Sequence, residues 1–208
     1  MINHASIKYF HTLCQSHPGL ELLVVSKYAD HQWIRKIHAL TGWINFGENR
    51  IEALEDKVSQ LKDLPIIWHY IGPLQGRKIE RITRYADHIQ SVSRQKDLCL
   101  IDGHAKMMGK RVAVWIQVND SNIANRSGAP SDQVPELVRL AKTCEHIHLQ
   151  GMMILPEKGD LDAYWKLGQL RQSLDPALKL SAGMSEDHLS AINHGSDLIR
   201  IGRALMTK

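Results

Sequence analysis

At 208 residues, 43% hydrophobic and 23% charged, the chain has the make-up of an ordinary globular protein, with room for one large domain. Its 26 Lys and Arg are interleaved with 22 Asp and Glu, so the net charge of +4 favours solubility over a polyanion-binding face. Cys14, Cys99 and Cys144 are odd in number and widely spaced, which argues against a disulfide framework or a zinc site, and no signal-like segment or apolar run of roughly 18 residues is present; a cytoplasmic protein off the membrane is expected.

In chain order, segments with helical periodicity alternate with short apolar runs. A helix over 3–16 precedes the run "ELLVVSK" (21–27), and a helix over 31–40 leads to "WINFGE" (43–48). Helices over 49–62 and 77–86 flank "IIWHYIG" (66–72), and "HIQSVS" (88–93) follows. A helix over 95–108 then leads to "RVAVWIQVN" (111–119), and one over 131–144 to "IHLQGMMIL" (147–155). A helix over 161–174 precedes "KLSAGMS" (179–185), and one over 187–194, with a cap-like Ser185 and terminal Gly195, precedes "DLIRIGRAL" (197–205). Val134, Leu137, Val138 and Ala141 mark one apolar helix face, as a helix laid on a sheet requires. Eight strand–helix repeats with no linker predict one α/β domain over 1–208, a single (β/α)8 barrel, with a doubly wound open sheet as the alternative.

In such a barrel the functional residues stand at the C-terminal ends of the strands. Those ends are polar here: Lys27, Glu48 and Asn49, His69 before Gly72, Ser91 and Ser93, Gln117 and Asn119, then Ser185 and Arg200, with Gly202 near the same rim. Individually, Asn49 and Ser185 also suit helix caps, Gly72 and Gly183 suit tight turns, and His69 suits a hydrogen-bonded core position. Together, a lysine, an arginine and a Ser/Gly pair on one rim suit pyridoxal 5′-phosphate (PLP). Lys27 supplies an amine for a Schiff base, which partial burial and nearby cations would favour, and Ser185 and Gly202 stand where backbone N–H groups receive a phosphate.

The ordered set "VVSK", "FGENRIEALEDK", "WHYIGPLQGRK", "IQVN" followed by "RSG", "GMM", "LSAGMSED" and "GSDLIRIG" resembles the pyridoxal phosphate homeostasis proteins, single-domain YggS-like relatives of the N-terminal barrel of alanine racemase. The resemblance spans nearly the whole chain. It implies an alanine racemase N-terminal-domain-like barrel with Lys27 as the Schiff-base lysine and Arg200 facing the pyridine nitrogen. Ser185 and Gly202 would hold the phosphate, and Asn49, His69 and Met184 would line the pocket. The sequence departs from the family pattern at Arg50, Arg77, Ser93, Ala182 and Arg126; Arg126 stands where a lysine usually precedes "SG" and cannot form the same imine.

Three functions compete. The first is a PLP carrier or regulator of intracellular vitamin B6 pools that is not an enzyme, acts as a monomer and passes cofactor to apo PLP-dependent enzymes. The second is an amino-acid racemase of low activity, disfavoured because in alanine racemase the second acid/base comes from a separate C-terminal domain. The third is a nucleic-acid or protein-interaction module using Arg77, Lys78, Arg81 and Arg84, disfavoured because Ile79, Glu80 and Ile82 complete an amphipathic barrel helix. No metal site is expected at "HIH" (146–148), which has no partner ligand at a recognisable spacing.

Overall fold

The computed structural model describes residues 1–121 and 127–207. Its strands are β1 (Glu21–Val25), β2 (Asn45–Glu48), β3 (Ile67–Tyr70), β4 (His88–Val92), β5 (Val112–Asn119), β6 (Ala129–Pro130), β7 (Ile147–Ile154), β8 (Lys179–Ser181) and β9 (Leu198–Ile201). Its helices are α1 (His4–Ser16), α2 (His31–Thr41), α3 (Ile51–Gln60), α4 (Gly76–Tyr85), α5 (Gln95–Met107), α6 (Val134–Thr143), α7 (Asp162–Leu174) and α8 (His188–Asn193), with a 3-10 turn at Arg203–Leu205. Every strand pairing is parallel, and β1-β2-β3-β4-β5-β7-β8-β9 closes because β9 pairs with β1 and β4 with β5. All eight expected runs become the barrel strands. The additional β6 is two residues long and sits beside the end of β5 through Val118↔Ala129, too short to leave a periodic signal.

Alternation along each strand builds two cores. On β1, Leu22 and Val24 face the helices and join Ile34 and Ile37 of α2, Ile51 and Leu54 of α3, and Ile79 and Ile82 of α4 in the outer layer. Leu23, between them, packs inside the barrel with Trp115, Met153 and Leu198. Local signals stop the helices where expected: Asp30 caps α2 by accepting from the Trp33 N–H at 2.7 Å, and Gly42 closes it in the left-handed region at φ 69°. Gly151 is required by packing, since a Cβ there would fall 2.0 Å from the Lys179 carbonyl oxygen. Among the described residues, no helix is long and apolar enough to cross a membrane.

Three of the four cations on the basic face of α4 pair with carboxylates. Lys78 pairs with Glu52 at 3.1 Å, Arg81 with Glu55, and Arg84 with Glu80 at 3.0 Å. Its cations serve the α3–α4 surface, in keeping with the amphipathic reading of this helix.

Candidate functional site

Register places the strand ends. Val25 is opposite Gly47, and Val24 is opposite Ile201, so β1 ends between Gly47 on one side and Gly202 on the other, with Lys27 two residues beyond. Gly202 approaches β1 closely, with a Cβ there falling 3.1 Å from the Val25 carbonyl oxygen. The pairing of Ser181 with Leu198, and an Arg200 N–H bond to the Gly183 carbonyl at 2.9 Å, set Met184 and Ser185 beside Gly202. The C-terminal ends of β2, β1, β9 and β8, which Asn49, Lys27, Gly202 and Met184–Ser185 follow, are therefore adjacent and make one arc of the mouth.

Lys27 differs from its expected setting. β1 ends at Val25; the buried Ser26 donates to the Gly47 carbonyl at 3.1 Å and to Glu48 Oε1 at 3.0 Å, and the chain then turns. Lys27 is consequently exposed, and its Nζ lies 5.0 Å from the centre of the Tyr28 ring. Ser185 also departs from expectation: α8 begins at His188 with Asp187 in the cap position. The hydroxyl and N–H of Ser185 make no hydrogen bond among the described residues, while its carbonyl oxygen lies 3.2 Å from His188 Nδ1. Nor does Asn49 cap α3, where Arg50 holds that position; the buried Asn49 Oδ1 has no partner among the described residues.

Arg200 forms the floor beneath this arc. Only 4% exposed, it donates from Nη1 to the Ser181 carbonyl at 2.6 Å and to Ser181 Oγ at 2.8 Å, and from Nη2 to the Ile154 carbonyl at 2.7 Å. Burial pushes its pKa down to about 10, with Tyr164 and Asp187 opposing the shift; it stays cationic near neutrality. A guanidinium has five N–H groups, so these three bonds leave two available to an acceptor. A buried cation held by carbonyls with no directly bonded carboxylate is costly unless a ligand completes its shell.

His69 lies one layer below the mouth, at 2% exposure. Both ring nitrogens are engaged, Nδ1 with Gln90 Nε2 at 2.8 Å and Nε2 with Asn45 Oδ1 at 3.2 Å, and the ring stacks on His88 with centroids 4.2 Å apart. It therefore supports the pocket from behind and does not itself stand in the arc. Burial, and then His88, hold its pKa well below the ordinary histidine value. The unfolded chain binds a proton at this residue below pH about 6.5 and the folded chain does not, so stability is full above that pH and falls as pH drops below it. The limiting slope is about 1.4 kcal/mol per pH unit. Urea midpoints measured from pH 7 to 5 should fall more steeply for wild type than for His69→Gln; parallel curves would show that His69 is not held neutral.

Behind the arc lies a buried ion pair absent from the sequence reading. Lys57 of α3 pairs with Glu48 and donates to the Ser26 carbonyl at 2.8 Å, and Glu48 Oε2 accepts from the Asn49 N–H at 3.3 Å. Glu48, a strand-end candidate, thus points away from the mouth and fixes the residues on either side of it. The signal available was Lys57 itself, a lysine on the apolar face of α3 with Ile51 and Leu54. Gly72, read as a turn residue, has a packing role: a Cβ there would fall 2.1 Å from the Asn49 carbonyl oxygen. Gly183 does need its turn, at φ 90°. Arg126 lies outside the described residues. A cleft of about 430 Å³ opens beside the arc, lined in part by Asn49, Arg50, Tyr70 and Lys78.

The sequence profile described as "Alanine racemase, N-terminal domain" matches residues 5–207. The chain belongs to this family. Within it, the chain is 34% identical over 190 residues to the pyridoxal phosphate homeostasis protein of Pseudomonas aeruginosa, covering 88% of this chain and 82% of that one. It is 32% identical over 200 residues to the protein of the same name from Vibrio cholerae, covering 90% and 84%. PipY of Synechococcus elongatus PCC7942, solved with PLP bound, superposes with a TM-score of 0.85 at 25% identity, covering 97% of this chain and 100% of PipY. An alanine racemase of Clostridium difficile 630 shares the fold at a TM-score of 0.77 and 14% identity, and this chain spans 57% of it. The alanine racemase N-terminal barrel is thus the shared scaffold, and this chain matches the two homeostasis proteins over 82% and 84% of their lengths.

Proposed function

We propose that this single-domain barrel binds PLP at the β2–β1–β9–β8 arc, holding it covalently on Lys27, and acts in PLP homeostasis as its relatives' name describes. The observation that carries this is the buried Arg200, with two unused N–H donors beneath a mouth that presents an amine, a free hydroxyl and a glycine edge. These groups suit the cofactor: Lys27 meets its aldehyde, Arg200 meets its ring nitrogen, Ser185 and the backbone at Gly202 meet its phosphate, and Asn49 and Met184 border it. His69 supports the floor. PLP supplies a reactive aldehyde and, where its ring nitrogen is protonated, an electron sink.

The residues favour holding over turnover. A guanidinium at the ring nitrogen disfavours protonation there, which weakens the sink that carbanion chemistry needs. Lys27 would hold the cofactor through its amine, and the condensation of amine with aldehyde would release one water. Such a protein stores a toxic aldehyde in a form that apo-enzymes can draw on, as a monomer in the cytoplasm, without a dedicated substrate.

The test is selective binding. Wild type incubated with PLP and desalted should keep a visible absorbance band. Ser185→Ala should weaken PLP by about 1–2 kcal/mol, the scale of a hydrogen bond to a charged group, and leave pyridoxal nearly unchanged. Equal loss of both ligands would remove Ser185 from the phosphate subsite, and a colourless wild type would overturn the cofactor assignment.

A further inference from the structure

A line of buried polar groups runs down the inside of the barrel from Arg200. Ser181 Oγ accepts from Arg200 Nη1 at 2.8 Å and donates to Gln90 Oε1 at 2.7 Å. Gln90 Nε2 meets His69 Nδ1 at 2.8 Å, and His69 Nε2 meets Asn45 Oδ1 at 3.2 Å. Asn45 Nδ2 donates to Glu21 Oε2 at 3.1 Å, and Glu21 Oε1 accepts from Lys179 at 2.5 Å. The line therefore joins strands β9, β8, β4, β3, β2 and β1.

Its two ends give it one direction. Glu21 as a carboxylate can only accept and Arg200 can only donate. With Asn45 Nδ2 turned to Glu21, its Oδ1 faces His69, which must donate from Nε2 and accept at Nδ1. Gln90 must then present its amide N–H₂ to His69 and its oxygen to Ser181. Ser181 is left with its proton pointing at Gln90 and its lone pairs facing the guanidinium. Gln90, Ser181 and His69 are all buried, so water is poorly placed to substitute for a missing member, and each bond carries the high stakes of an interior polar network.

We propose that Gln90 is a positioning residue for the site: by orienting Ser181 it fixes the rotation of the Arg200 guanidinium, and so the two donors that Arg200 offers the cofactor ring. The inference rests on the functional reading above. Gln90 is fully buried, and its side chain bonds to His69 and Ser181. It acts through Ser181, whose hydroxyl loses its acceptor if Gln90 is replaced by an apolar side chain of similar length and is then free to turn its proton toward Arg200.

The experiment is a double-mutant cycle on the full chain. Wild type, Gln90→Met, Gln90→Glu, Arg200→Lys and Gln90→Met/Arg200→Lys are titrated with PLP, and the visible spectrum of each bound form is followed with pH. Gln90→Met should weaken PLP about tenfold, the scale of one hydrogen bond to a charged group, and move the spectral pH midpoint in the same sense as Arg200→Lys. Gln90→Glu keeps an acceptor facing Ser181 but sets a second carboxylate oxygen against His69 Nδ1, so it should recover affinity only as pH falls and a proton enters between the two. The double variant should be no weaker than Arg200→Lys alone, because Gln90 has nothing left to position. Additive losses, or a Gln90→Met spectrum that tracks wild type at every pH while only the melting temperature of the apo form falls, would overturn the role and leave the cofactor reading standing. A wild type that takes no PLP would overturn both.

Discussion

Lys27→Ala should abolish covalently attached PLP while leaving the fold intact. Lys27 is exposed and makes no hydrogen bond among the described residues, so its removal opens no cavity and strands no buried partner there, and surface changes of this kind usually shift stability by no more than about 0.5 kcal/mol. Other lysines built into the barrel are occupied elsewhere. Lys57 is buried against Glu48 and the Ser26 carbonyl, and Lys179 belongs to the opposite end of the barrel, bonded to Glu21 at 2.5 Å. Borohydride reduction followed by intact mass measurement should therefore show full labelling of wild type and essentially none of Lys27→Ala. Weak, non-covalent PLP should persist in the variant, held by Arg200 and the phosphate subsite. Undiminished labelling in Lys27→Ala, mapped to another lysine, would refute the assignment.

The second large effect concerns the ion pair behind the mouth. Glu48 and Lys57 have side-chain exposures of 1% and 7%, and Ser26, Gly47 and Asn49 all bond into the same cluster. Lys57→Met leaves a carboxylate buried without its cation, which costs about 3–5 kcal/mol. Removing both charges together, in Glu48→Gln/Lys57→Met, should restore much of that stability, since a buried pair replaced by packed neutral side chains is often close to neutral. PLP affinity should recover less completely, because Ser26 and Asn49 flank Lys27 and depend on Glu48 and Lys57 for their positions. Urea unfolding of both variants checks the first part. A cost below about 1 kcal/mol for Lys57→Met, the range of an exposed pair, would show that the charges are solvated and hold nothing in place.

Much of the architecture was readable along the chain. The eight apolar runs and the helices between them are local features, set by side-chain periodicity, caps such as Asp30 and stops such as Gly42. Parallel pairing follows from that alternation, because successive parallel strands need a helical crossover between them; closure shows only in the pairing of β9 with β1 and β4 with β5. The polar strand ends then pointed to one end of the barrel. What stayed hidden was direction. "GEN" presents two polar side chains in succession, and only the pairing of β2 with β1 shows that Glu48 turns outward to Lys57 while Asn49 flanks the mouth.

The sequence by itself determined the order and type of the elements, and its polar strand ends singled out an amine, a guanidinium and a Ser/Gly pair as candidates. Tertiary structure decided the depth of each residue. Lys27 left its strand and became exposed because Ser26 is drawn toward Gly47 and Glu48, residues 21 and 22 positions away. His69 sank below the mouth because Gln90 and Asn45, 21 and 24 positions distant, take both its nitrogens. The partners in these bonds are brought together only by barrel closure and strand register, which are properties of the assembled sheet. No local window of the chain contains them.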